Sequence, residues 1–149
     1  MGLGMHIQNW GAALLGFCLV MMWAMLKAHS ANIVTTRDGG GRIDTLHAQY
    51  HSQWAGGLNR HVIDGYCGSA CTLKLSYPNT CVTPRAKFMF HHGYIPMLGW
   101  ELHSAEGSAY MMRHYPPRIR AWISAQGGLT HKKLWLDYRG ARRLGIRAC

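Results

Sequence analysis

Acidic side chains are scarce in this 149-residue chain: six Asp and Glu stand against sixteen Lys and Arg, a formal net charge of +10. The first thirty residues contain Lys27 and no acid, so the excess belongs to residues 31–149. It is densest near the end, in Lys132, Lys133, Arg139, Arg142, Arg143 and Arg147. No nucleic-acid-binding motif accompanies it, which excludes specific nucleic-acid recognition and leaves two readings: a solvated face, or a surface that draws anionic polymers or phospholipid head groups. Paired C-x-x-C knuckles are missing too, and His47 and His51, one helical turn apart, lack the Glu of H-E-x-x-H, so neither familiar zinc pattern is present. A metal reading would have to combine His47, His51, His91, His92 and the cysteines, and no metal or other cofactor is expected. Internal repeats and low-complexity segments are absent, and the length allows one domain with a modest core.

What is present begins with an apolar run, Trp10 to Leu26, followed by Ala28-His29-Ser30 before Ala31. Small residues stand at the two positions a signal peptidase reads, so residues 1–30 are expected to be a signal peptide and 31–149 an exported domain, periplasmic or secreted. No Lys or Arg precedes the run, and its length approaches a membrane span of about 17 residues, which leaves an uncleaved anchor helix as the alternative. Beyond it Cys67, Cys71, Cys81 and Cys149 are disulfide candidates in an oxidising compartment. The pairing expected is Cys71 with Cys81 and Cys67 with Cys149.

The exported part reads as α/β. A strand from Asn32 to Thr36 gives way to Arg37-Asp38 and Gly39 to Gly41, a tight turn. Ile43, Leu46, Tyr50 and Trp54 recur at steps of three and four and predict a helix ended by Gly56-Gly57. His61 to Asp64 predicts a second strand closed by Gly65, making a βαβ unit, and Ser69 opens a short helix. Ala86 to Phe90 predicts a third strand that delivers His91 and His92. Gly93 to Glu101 reads as an apolar loop, a substrate lip, a partner contact or simple packing. Ser108 to His114 and Pro117 to Gln126 read as helices, and a last helix follows Asp137 and ends at Gly145.

Three segments converge in this topology: the glycine turn, Ser69 and His91. A serine hydroxyl needs a base to take its proton as it attacks a carbonyl, the role His91 would fill, and the developing oxyanion needs N–H donors, for which Gly40, Gly41 and Ala70 are candidates. His92 is the alternative base, since adjacent strand residues point to opposite faces. The bland readings stand beside these: Ser69 as a helix N-cap, His91 as a structural histidine, the glycines as turn formers.

The stretches Asp38-Gly39-Gly40-Gly41-Arg42-Ile43, Ile63 to Thr72 with Cys67-Gly68-Ser69-Ala70-Cys71 at its centre, and Pro84 to His91 resemble the exported, cysteine-containing branch of the Clp-protease/crotonase-like superfamily. Ala141-Arg142-Arg143-Leu144-Gly145-Ile146 resembles that family's closing helix. The resemblance implies a small βαβ core with C-terminal helices. It implies a serine hydrolase of peptidase type acting on an amide or ester, a peptide or small-molecule substrate, and a homo-oligomer as an option. The alternative is a catalytically inactive member that binds an envelope protein. Where the triad acid belongs, Leu129 to Lys133 holds no carboxylate; Asp137 is the nearest, read either as orienting His91 or as a helix cap.

Overall fold

The computed structural model describes residues 30–97 and 100–149, and the apolar run read as a signal or anchor lies outside them. Among the described residues no helix is long and apolar enough to cross a membrane. Strand β1 (Asn32–Asp38) passes through the glycine turn into helix α1 (Ile43–Trp54), and β2 (Arg60–Gly68) returns parallel to β1. A 3₁₀ helix (Ser69–Ser76) follows, then β3 (Cys81–Val82), β4 (Lys87–Phe90), β5 (Gly93–Met97) and β6 (Trp100–Ser104). Helices α2 (Ala105–His114) and α3 (Pro117–Ala125), strand β7 (Leu134–Asp137), helix α4 (Tyr138–Arg143) and strand β8 (Arg147–Ala148) complete the order.

The fold is mixed α/β. Strand β2 is the spine of a six-stranded sheet. It carries β1 along one edge and, on the other, β3 beside Val62 and Ile63 and β4 beside Tyr66 to Gly68. All of these run parallel, as does β8 on β3; β7 closes the β4 edge antiparallel. The core lies between the sheet and the helices, with Ile63, Leu73, Phe88, Phe90, Met111, Ile119 and Ile123 fully buried. Each such large apolar side chain stabilises the fold by roughly 1.5–3 kcal/mol. Helix starts follow their caps: Ser104 accepts from Gly107 N, Pro117 stands in the first turn of α3, and Asp137 accepts from Gly140 N.

Three expectations need correction. Gly65 does not end the second strand. A register shift between Thr35 and Arg37 bulges β1 toward it, and a β-carbon at Gly65 would overlap the Thr36 carbonyl, so glycine there lets the strand continue to Gly68. The Gly93 to Glu101 loop is instead most of an antiparallel hairpin, paired from Gly93↔Ser104 to Met97↔Trp100. Tyr94, Ile95 and Leu102 are exposed on it. The cysteines pair Cys67 with Cys71 and Cys81 with Cys149, not as expected. Parallel pairing of β3 with β8 carries Cys149 beside Cys81, at a Cα separation of 5.0 Å, while Cys67 and Cys71 lie 5.3 Å apart across one tight turn. Both separations suit a disulfide.

His61, wholly buried, places Nε2 3.1 Å from the Tyr50 carbonyl, and its Nδ1 has no partner among the described residues. The ring is therefore neutral with its proton on Nε2, and burial holds its pKa below the ordinary value of 6.5. Because the unfolded chain takes up this proton more readily than the folded one, stability is full above about pH 6.5 and is lost as pH falls below it. Thermal unfolding followed from about pH 7.5 to about pH 5 should show a decline to which this group adds at most about 1.4 kcal/mol per pH unit. His61→Gln should flatten that decline; an unchanged slope would assign it to other groups.

Candidate active site

Ser69 follows directly on β2, at the edge of the sheet where the parallel strands end. Its φ is +54°, a left-handed conformation unusual for a residue with a side chain and costing of the order of 1–3 kcal/mol. A serine capping a helix has extended dihedrals; here Gly68 holds that position with φ −114° and ψ 157°, and no side chain caps the helix. The N-cap reading of Ser69 is thereby excluded. The turn is held from both flanks: a disulfide joins Cys67 to Cys71, two residues either side of Ser69, and both cysteines are fully buried. Beneath it, Thr72 Oγ1 donates to the Ser69 carbonyl at 2.6 Å. That spends the single hydroxyl proton of Thr72, so the Tyr115 hydroxyl, 2.5 Å away, is the donor to Thr72.

The glycine turn after β1 lies against the serine turn. Gly40 has φ +83°, and a β-carbon there would fall 2.7 Å from Ala70 N, Gly68 O and Ser69 Cβ, so only glycine allows this approach. Asp38 fixes the turn: one carboxylate oxygen accepts from Gly40 N at 2.9 Å, the other from the Tyr50 hydroxyl and from Lys74 Nζ, both at 2.9 Å. The Lys74 ammonium also donates to Thr35 Oγ1 at 2.9 Å and stands 4.3 Å from the centre of the Tyr50 ring. Burial pushes the Asp38 pKa up, but the hydrogen bonds from Gly40, Lys74 and Tyr50 outweigh it and leave the group below its ordinary 3.8. The Tyr50 phenol is pushed well above its ordinary range by burial and then by its bond to Asp38. Sequence reading missed Lys74 and Asp38; the signal was a lone lysine between Leu73 and Leu75 and an acid just ahead of three glycines.

Gly41, Ser69, Ile43, Tyr94 and Ile95 line one cavity of about 420 Å³, with the exposed Arg42–Asp44 ion pair at its margin. His91 is half-buried one residue past β4, whose register sets Gly68 opposite Met89, so Ser69 and His91 leave adjacent parallel strands at the same edge. Its ring stacks on Tyr94 at 5.8 Å between centroids. His92 is buried, with Nδ1 2.8 Å from its neighbour's carbonyl, Gly93 O, and its ring 4.7 Å from that of His103. Asp137 is not brought to His91. It pairs with Lys87 at the opposite end of β4, and its Oδ1 accepts from Gly140 N at 2.7 Å, capping α4. Among the described residues no group of three or more His, Cys, Asp or Glu is placed to hold a metal ion.

No protein-family model and no curated protein matches the sequence. Among solved structures the chain is similar in shape to a point mutant of ClpP1 from Listeria monocytogenes, with a TM-score of 0.45 and 17% sequence identity over 95% of this chain and 84% of that one.

Replacing Asp38 by Asn strands a buried ammonium, and breaking such a pair costs about 3 kcal/mol or more. Urea unfolding should register that loss for Asp38→Asn, and adding Lys74→Met should recover most of it. A single variant as stable as the parent would show that the ion pair does not hold the turn.

Proposed function

We propose that the protein is an exported serine hydrolase of the ClpP/crotonase-like type, acting on an amide or ester. Ser69 attacks the carbonyl, His91 takes the proton and returns it to the leaving group, and the N–H groups of Gly41 and Ala70 receive the oxyanion. The observation that carries the reading is the left-handed Ser69 at the end of a central strand, clasped by a disulfide and pressed against a glycine turn. A residue kept in a costly conformation by several independent restraints is what a nucleophile needs and a helix cap does not. His91 is preferred to His92 as base because its ring stacks on Tyr94, which lines the cavity shared with Ser69, whereas His92 is buried against Gly93 O. Gly40 acts by close approach rather than as the donor. The position of Asp137 favours the second reading, a non-catalytic protein that binds an envelope partner through the exposed Tyr94, Ile95 and Leu102 of the hairpin.

A fluorophosphonate probe decides between them. Labelling that is abolished by Ser69→Ala and at least tenfold slower in His91→Ala supports hydrolysis; a folded parent protein that never labels supports binding.

The two disulfides should separate in the same assay. In the loop-entropy account the Cys81–Cys149 bond, closing 68 residues, is worth about 4 kcal/mol. The short Cys67–Cys71 loop is worth about 2 kcal/mol. Cys67→Ser with Cys71→Ser is expected to slow labelling at least tenfold while the fold persists, whereas Cys81→Ser with Cys149→Ser lowers the unfolding midpoint and leaves the native labelling rate. Equal labelling in both variants would remove the clasp from the mechanism.

A further inference from the structure

A second, larger cleft of about 820 Å³ opens where three distant segments meet: the end of the 3₁₀ helix with its turn to β3, the junction of α2 and α3, and the C-terminal turn before β8. Its walls are largely apolar, with Tyr77, Tyr115 and Ile146 among them, Ser76 and Thr80 add hydroxyls, and its charged lining consists of Arg118 and Arg147, with His114 beside them. No Asp or Glu lines it. Arg118 lies over Gly145, its Cδ and Nη1 both 3.7 Å from where a β-carbon would stand. Arg142, by contrast, is engaged in bracing the same turn, its Nη1 donating to Ile146 O at 2.8 Å. Among the described residues the ion pairs use Arg42, Lys74 and Arg85, so Arg118 and Arg147 are in none.

The cleft is also held in shape. Pro78, Pro116 and Pro117 fix the backbone of two walls. Strand pairing of β8 with β3 and the Cys81–Cys149 disulfide fix the segment that carries Arg147. Two arginines line this cleft in a protein with +10 net charge, and a guanidinium is the side chain suited to pair with an oxyanion through parallel N–H donors. The apolar part of the lining favours an anion that brings its own apolar surface.

We propose that this cleft is a binding site for an organic oxyanion, a carboxylate or phosphate ester carried on an apolar group, with Arg118 and Arg147 holding the charge. The site does not rest on the reading of Ser69. Calorimetric titration of the full chain with hexyl phosphate, hexanoate, inorganic phosphate and hexanol tests it. Saturable binding of hexyl phosphate or of hexanoate is expected, weakening as salt is added, and whichever binds more tightly identifies the oxyanion. Hexanol and inorganic phosphate should bind at least tenfold more weakly. Arg118→Gln with Arg147→Gln should weaken binding at least tenfold with an unchanged unfolding midpoint, since both side chains are exposed, while the control Arg143→Gln, outside the cleft lining, should bind as the parent does. No saturable binding of either organic anion, equal binding of inorganic phosphate, or undiminished binding in the double variant would overturn the proposal.

Discussion

A lysine ammonium buried between Leu73 and Leu75 has to meet an anion, and the way Lys74 meets Asp38 sets the site end of the molecule. The pair joins the 3₁₀ helix that begins at Ser69 to the turn that contains Gly40, and it does so inside a shell of hydrogen bonds from Tyr50 and to Thr35. Desolvating two charges is costly, and an apolar pair of similar volume often supports a fold as well or better. The gain lies in geometry. With both carboxylate oxygens committed, Asp38 cannot move without stranding Lys74, and Gly40 N cannot leave Asp38 without a buried loss. The serine turn and the glycine turn are thereby tied to each other through Asp38 and Lys74.

Ser69 illustrates how that tie is used. An isolated turn would relax a left-handed serine to an extended or helical conformation and release of the order of 1–3 kcal/mol. Here relaxation is opposed by the Cys67–Cys71 bond, by Thr72 holding the Ser69 carbonyl, and by Gly40 packed against its Cβ. None of these restraints is large alone. Their common effect is that rotating φ at Ser69 disturbs all three at once, which is why a sparsely populated conformation persists there.

Much of this was legible in the sequence where the cue was local. The periodicity of Ile43, Leu46, Tyr50 and Trp54, the three glycines after Asp38 and the proline opening α3 each determine one element by themselves. Strand order alone led to the expectation that the glycine turn, Ser69 and His91 converge; the structure packs the first two together and carries His91 just past the strand next to β2. Long-range pairing was not legible in the same way. Cysteine spacing leaves three pairings open, and what selects Cys81–Cys149 is β8 lying on β3, a two-residue strand with no periodicity to announce it. Gly65 read as a terminator because a glycine that admits a neighbouring carbonyl looks, in sequence, like one that ends a strand. The hairpin pairing of Gly93 to Met97 with Trp100 to Ser104 was hidden by Pro96, which breaks alternation without preventing antiparallel pairing. Asp137 could be read both as capping and as orienting His91 until register placed it opposite Lys87.

The 3₁₀ helix has a further consequence, because both cavities abut it. Ser69 stands at its first residue; Leu75 and Ser76, at its last, wall the larger cleft. Between them Tyr115, also in that wall, donates to Thr72, which in turn holds the Ser69 carbonyl. A contact on the Tyr115 ring therefore lies two hydrogen bonds from the serine turn. Proximity of this kind is not coupling, which requires an element with two discrete arrangements that each site biases differently. The helix offers no such freedom: one end is tied by Cys67–Cys71, and near the other Lys74 is tied through its ammonium to Asp38 and through its carbonyl to Thr80 Oγ1, which donates to it at 2.6 Å. Its role is that of a shared support, holding two differently built cavities at fixed positions on a small domain.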